Sequence, residues 1–195
     1  MYALTREGRK PPMVHVRQSL YSLLEPQKKK ANVVNLLGFF SPLTDDCELY
    51  DLLHGAGVKT VHEISRCRDF EEYTHMSEAN FNLVLHPEAR FAAEDFHNRL
   101  KIPFIELRRL YQTDKIDSQY QALANVLGVK FETENVRKSA ENAVEEFRKK
   151  KPDASFAVGE CMNGDAFELS LALLKYGFQV KEIYGTITSE NFVYM

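Results

Sequence analysis

A stretch near the start of the chain returns, altered but recognisable, about 120 residues later, and no other feature restricts the fold so tightly. KKKANVVNLLG at 28–38 has a counterpart in KKKPDASFAVG at 149–159, with Lys28 against Lys149 and Gly38 against Gly159. After a one-residue slip, Glu48, Leu49, Leu53 and Gly57 fall on Glu168, Leu169, Leu173 and Gly177. After a second slip, V-x-E-I at 61–64 falls on 180–183. Each copy reads as a buried strand ending in glycine, a leucine stripe at helical spacing, a glycine that closes the helix, and a second strand. Strands joined by a helical crossover run parallel, and a parallel sheet needs cover on both faces.

The stretch between the copies continues the alternation. FNLVLH (81–86) and IPFIEL (102–107) read as further strands, and Pro103 sits near a strand start, where a missing donor is tolerated. Thr44-Asp45-Asp46 offers N-cap chemistry to the first helix, Asp69 to the short helix FEEYTHM, and Pro87 suits a first helical turn. Ile116, Tyr120, Leu123 and Leu127 mark a helix closed by Gly128, and Val136, Ala140, Ala143, Val144 and Phe147 mark another with a charged outer face. The expected fold class is therefore α/β: a Rossmann-like parallel sheet with helices on both faces, plus the start of a second similar unit. The expected divisions are a lead-in at 1–31, a Rossmann-like domain at 32–130, a linking helix at 131–150 and a truncated second unit at 151–195. A half-built second sheet would leave an open edge, so the chain reads as a fragment of a longer protein. The alternative is that two βαβ halves complete one larger sheet.

Composition narrows the function classes. The 195 residues are 44% hydrophobic and 27% charged with a net charge of −3, which suits a soluble globular protein and argues against nucleic acid as the main partner. No apolar run approaches the ~20 residues of a membrane span, and the polar start is no signal peptide, so the expectation is a cytoplasmic protein without a membrane partner. Cys47, Cys67 and Cys161 are too few and too scattered for a disulfide scaffold or a self-contained zinc or iron–sulfur motif.

In an open parallel sheet, ligands sit beyond the carboxyl ends of the strands. The polar residues expected there are Gly38, Ser65, Arg66, Arg108, Arg109, Glu160 and Asn163, as candidates for binding a cofactor or substrate. Cys67 lies between Arg66 and Arg68, where positive charge would favour a thiolate, and His86 ends a strand. A Cys67–His86 metal pair is the sharp expectation. The plain alternative is a turn cysteine and a hydrogen-bonded edge histidine, since two ligands make an incomplete site. GFFSPLTDD and GECMNGDAF read as capped turns, because neither is a phosphate-binding motif.

The run NVVNLLGFFSPLTDDCELYDLLHGAGVKTV resembles the second domain of nitrogenase component 1 proteins, with ISRCRDFEEY and NFNLVLHPEARFAAEDFHNRLKIPFIEL continuing the likeness. GECMNGDAFELSLALLKYGFQVKEI resembles the opening of that family's third domain. The resemblance covers nearly all of residues 32–195, and the spacing of several weak motifs carries it. It implies an oxidoreductase subunit that forms part of a metal-cluster or substrate cavity. It further implies a paralogous or identical component 1-like subunit and an ATP-dependent iron–sulfur reductase as partners. An iron–sulfur or related cluster is implied for the intact protein, and none for the isolated chain, which is expected to be inactive. Carried over by position, a cluster-ligating cysteine of the nitrogenase α-subunit falls at His86, and the family's Gly-Asp pair falls at Arg66-Cys67. A non-catalytic small-ligand or metal receptor, or a subunit-assembly domain, is the competing class.

Overall fold

Lys30–Leu37 forms strand β1, and from Val33 onward every side chain along it is buried, with no alternation. That pattern belongs to a strand covered on both faces. The computed structural model describes residues 12–38, 40–159 and 165–186. It divides after Arg108 into two compact units.

In the first unit β1 pairs in parallel with β2 (Thr60–His62) on one side and β3 (Ala79–Val84) on the other. Val34 lies opposite Val61, and Asn35 opposite Asn82. β4 (Phe104–Glu106) continues beyond β3, giving the order β2-β1-β3-β4. Helix α2 (Glu48–Gly55) joins β1 to β2, while α3 (Phe70–Thr74) and α4 (Arg90–Asp95) flank β3 in sequence. The chain moves one way from β1 to β2 and returns past β1 to reach β3. Right-handed crossovers then place α2 and α3 on opposite faces.

One face carries a hydrophobic core cluster. Val33, Leu37, Ala79 and Val84 of the strands meet Tyr73, Met76, Ala92, Ala93, Phe96 and Leu100 from the helical segments. Helix α1 (Pro12–Tyr21) comes from the stretch read as a lead-in, yet Tyr21 and Leu24 complete this core, Tyr21 edge-on to Phe96 with centroids 5.0 Å apart. Asn35 is fully buried in the same layer and donates to the Met76 carbonyl at 2.9 Å and to Asn82 Oδ1 at 2.8 Å. This polar pair ties the register of β1 and β3 to the turn that precedes β3.

The second unit holds α5 (Thr113–Leu127), α6 (Glu134–Lys150), β5 (Ser155–Gly159), α7 (Ala166–Lys175) and β6 (Gln179–Tyr184). β5 and β6 are parallel and form a sheet separate from the first among the described residues. Among the described residues the two halves therefore do not complete one larger sheet. Both repeat glycines do as the sequence requires: Gly57 and Gly177 close their helices at φ +90° and +83°. Asp69 caps α3 by accepting from the Glu72 N–H at 2.8 Å. The cap expected at Thr44–Asp46 does not form: α2 starts after Cys47 without a side-chain cap bond, and Asp45 pairs with Arg66. Among the described residues no helix is long and apolar enough to cross a membrane.

Candidate functional site

Because β2 and β3 lie on opposite flanks of β1, the sheet reverses its order between β1 and β3, the point where open α/β sheets receive ligands. Gly38 and His86 lie just beyond the ends of these two strands. The ladder runs one step further, with Leu85 N–H donating to the Leu37 carbonyl at 2.8 Å. A Cβ at position 38 would stand 3.1 Å from Leu85 Cβ, so glycine lets the two chains close here.

His86 caps the single 3₁₀ turn Pro87–Ala89 that leads into α4, its Nδ1 accepting from the Glu88 N–H at 3.3 Å. Beside it Arg17 reaches over from α1, only 4% exposed. Its guanidinium donates to the Gly38 carbonyl at 2.6 Å, lies 4.8 Å from the centre of the Phe40 ring and stands 3.6 Å from the Glu88 carboxylate. Arg17 escaped the sequence reading because its segment passed for a lead-in. The available signal was its place on the Val14–Arg17–Tyr21 stripe, a charged residue at a buried helical position.

Ser65, Arg66 and Cys67 gather elsewhere, past the end of β2. The organiser there is Glu63, nearly buried, which accepts from the Leu43 N–H at 3.0 Å, from Arg66 Nε at 3.1 Å and from the Tyr50 hydroxyl. Burial, with the hydrogen bond and charge of Glu63 behind it, pushes the Tyr50 phenol up to about 12. Arg66 also donates to the Leu43 carbonyl at 2.8 Å and to Asp45 at 2.7 Å, so its charge is engaged within the chain. The Ser65 hydroxyl is buried with no hydrogen-bond partner among the described residues. At the end of β4, Glu106 sits between Arg108 at 3.2 Å and Arg90 at 3.4 Å. Arg109 follows as the exposed first residue of the second unit. Glu160 and Asn163 lie outside the described residues.

The order of strands separates the expected metal pair. β1 stands between β2 and β3, which puts the ends leading to Cys67 and His86 two strand spacings apart, about 10 Å. The electrostatic case for a Cys67 thiolate fails as well. Arg68 is held by Glu72 and Arg66 by Glu63 and Asp45. Burial, followed by the charges of Glu72 and Asp69, pushes the Cys67 thiol up. The thiol donates to the Glu63 carbonyl at 3.4 Å and packs against the core. Cys47 is pushed up too, again chiefly by burial. Among the described residues no three His, Cys, Asp or Glu side chains come together as a metal site. The donor set described at these strand ends does not fit an iron–sulfur cluster.

In the second unit the comparable polar centre is Glu168, fully buried in the first turn of α7. Its carboxylate accepts from the N–H groups of Tyr111 at 2.8 Å and Gln112 at 3.2 Å, and from Gln112 Nε2 at 3.0 Å. Lys175 donates to the same glutamine, and the Tyr176 hydroxyl donates to the Tyr111 carbonyl at 2.7 Å. This network pins an extended segment and spends the carboxylate in doing so. Sequence reasoning singled out Glu168 only as a repeat position.

Set against known proteins, residues 12–174 match the family described as nitrogenase component 1 type oxidoreductase. Nitrogenase Cp1, solved at pH 6.5, aligns with a TM-score of 0.66 at 15% identity, over 93% of this chain and 44% of that one. The likeness confirms the fold, and the chain spans less than half the length of that nitrogenase chain. No curated protein matches the chain.

Proposed function

Because the chain belongs to the nitrogenase component 1 type oxidoreductase family, we propose that it forms one wall of a cavity for a substrate or metal cluster within a larger redox assembly. The observation that carries this reading is the family match over residues 12–174, which spans the whole parallel sheet with its polar strand ends. The wall consists of Gly38, His86 and Arg17 at the reversal of strand order, Ser65 and Arg66 past β2, and Arg108 past β4, with Arg109 a candidate by its sequence alone. Glu160 and Asn163 stay candidates by their sequence alone. A second component 1-like subunit, identical or paralogous, supplies the facing wall, and electrons arrive from an ATP-dependent iron–sulfur reductase. Such an assembly works in the cytoplasm.

The isolated 195-residue chain then turns nothing over, because one wall does not enclose a reacting centre. The test is anaerobic affinity purification of the native gene product from its source. Recovery in a complex with a second component 1-like subunit is expected. Recovery without any such partner, with full reductive turnover by the chain alone, contradicts the proposal.

A further inference from the structure

We infer that His86 carries its proton on Nε2 and makes no metal bond at the crevice between β1 and β3, so that it supplies no ligand to a cluster. The inference concerns the wall proposed above and sharpens its chemistry. Its ground is the tautomer that the fold imposes. Nδ1 of His86 faces the Glu88 N–H at 3.3 Å and accepts from it. An acceptor Nδ1 carries no proton, which leaves the proton of the neutral ring on Nε2. A histidine that ligates through Nε2 needs the opposite arrangement, with Nδ1–H donating to a carboxylate or carbonyl that orients the ring. Here that position is filled by another donor, and switching tautomer would set two N–H groups against each other. The remaining route, metal on Nδ1, would take away the acceptor that caps the turn.

The surroundings agree. Arg17, almost wholly buried, stands against the same strand ends and engages Gly38 and Glu88, and a fixed guanidinium disfavours a bound cation beside it. Cys67, the partner that such a site would need, packs against the core and follows β2, a strand that is not adjacent to β3.

The test is a long-range proton–nitrogen correlation spectrum of the imidazoles in the 195-residue chain, with the His86 signals assigned from His86→Asn. Asparagine keeps an oxygen that can cap the turn while removing the ring. The inference predicts the Nε2–H pattern for His86 and no shift of its signals on titration with Zn²⁺. It also predicts that His86→Asn and Cys67→Ser leave the iron content of the anaerobically purified native product at the parent's value. His86→Ala loses the cap and lowers the thermal midpoint by about 2–4 °C, and His86→Asn recovers most of that. An Nδ1–H pattern, a Zn²⁺-dependent shift at His86, or loss of half the iron or more in either variant would overturn it. The iron content of the parent bears on the proposed redox role, whereas the difference between parent and variant bears on His86 alone.

Discussion

The two βαβ copies share a sequence pattern and bury opposite members of it. In the first copy Glu63, at the end of the second strand, is the nearly buried organiser, while Glu48 at the start of the helix is exposed. In the second copy Glu168, at the start of the helix, is the fully buried organiser, while Glu182 in the second strand is exposed. The sheets differ in the same sense. Leu36 and Leu37 of β1 are buried, whereas Ile183 and Tyr184 of β6 are 41% and 61% exposed. A repeat specifies strand, helix and turn. Which carboxylate is buried depends on the segment that folds over it, Leu43–Tyr50 in one copy and Tyr111–Gln112 in the other.

The contrast can be broken first at the glutamates. Glu168→Ala strands two backbone N–H groups and a side-chain amide, and should cost about 3–5 kcal/mol in urea unfolding. Glu48→Ala, the same position in the other copy, should stay within about 0.5 kcal/mol. Equal costs would mean that the two copies are built alike after all. Next come the strands: Leu36→Ala should cost about 2–4 kcal/mol by opening a cavity, and Ile183→Ala less than about 1 kcal/mol. A large loss at Ile183 in the chain alone would show β6 to be covered.

A finer probe is Tyr50. Replacing Glu63 by Gln removes the charge that helps to raise the phenol, so its ionisation, followed by ultraviolet absorbance, should move down from about 12. No change would leave burial as the whole cause. The smallest effect is at His62 on β2, whose imidazole is held below its ordinary value by burial first and then by His75. The unfolded chain takes up this proton more readily than the folded one. Stability contributed by the neutral ring is therefore complete above the ordinary imidazole value of about 6.5, and falls as pH drops below it toward the lowered folded value. His62→Gln should flatten that part of the stability–pH profile, and an unchanged profile would assign the acid sensitivity elsewhere.

Much of the fold was legible because its signals are local. Gly57 and Gly177 closing helices, Asp69 capping α3 and four apolar runs forming a parallel sheet each depend on a handful of neighbouring residues. The site was less legible because it depends on strand order. Nothing local in the sequence says that β1 stands between β2 and β3, so a Cys67–His86 pair was conceivable from strand ends that are not adjacent. The arginines misled for a related reason: flanking a cysteine in sequence does not stop Arg66 and Arg68 from turning to Asp45, Glu63 and Glu72. Asp45 itself looked like a cap until its partner, twenty-one residues away, was in view. Arg17 was missed because a buried charge in a short helix gives little warning without the core that it enters.

The most direct test of the central claim is electron transfer. The native gene product, purified without oxygen, would be mixed with a reduced iron–sulfur reductase of the component 1 partner class, and oxidation of the reductase followed by absorbance with and without ATP. The proposed role predicts oxidation that requires both ATP and the native product. Oxidation at the same slow rate whether or not the product is present would contradict it, and would leave ligand reception or subunit assembly as the role of this fold.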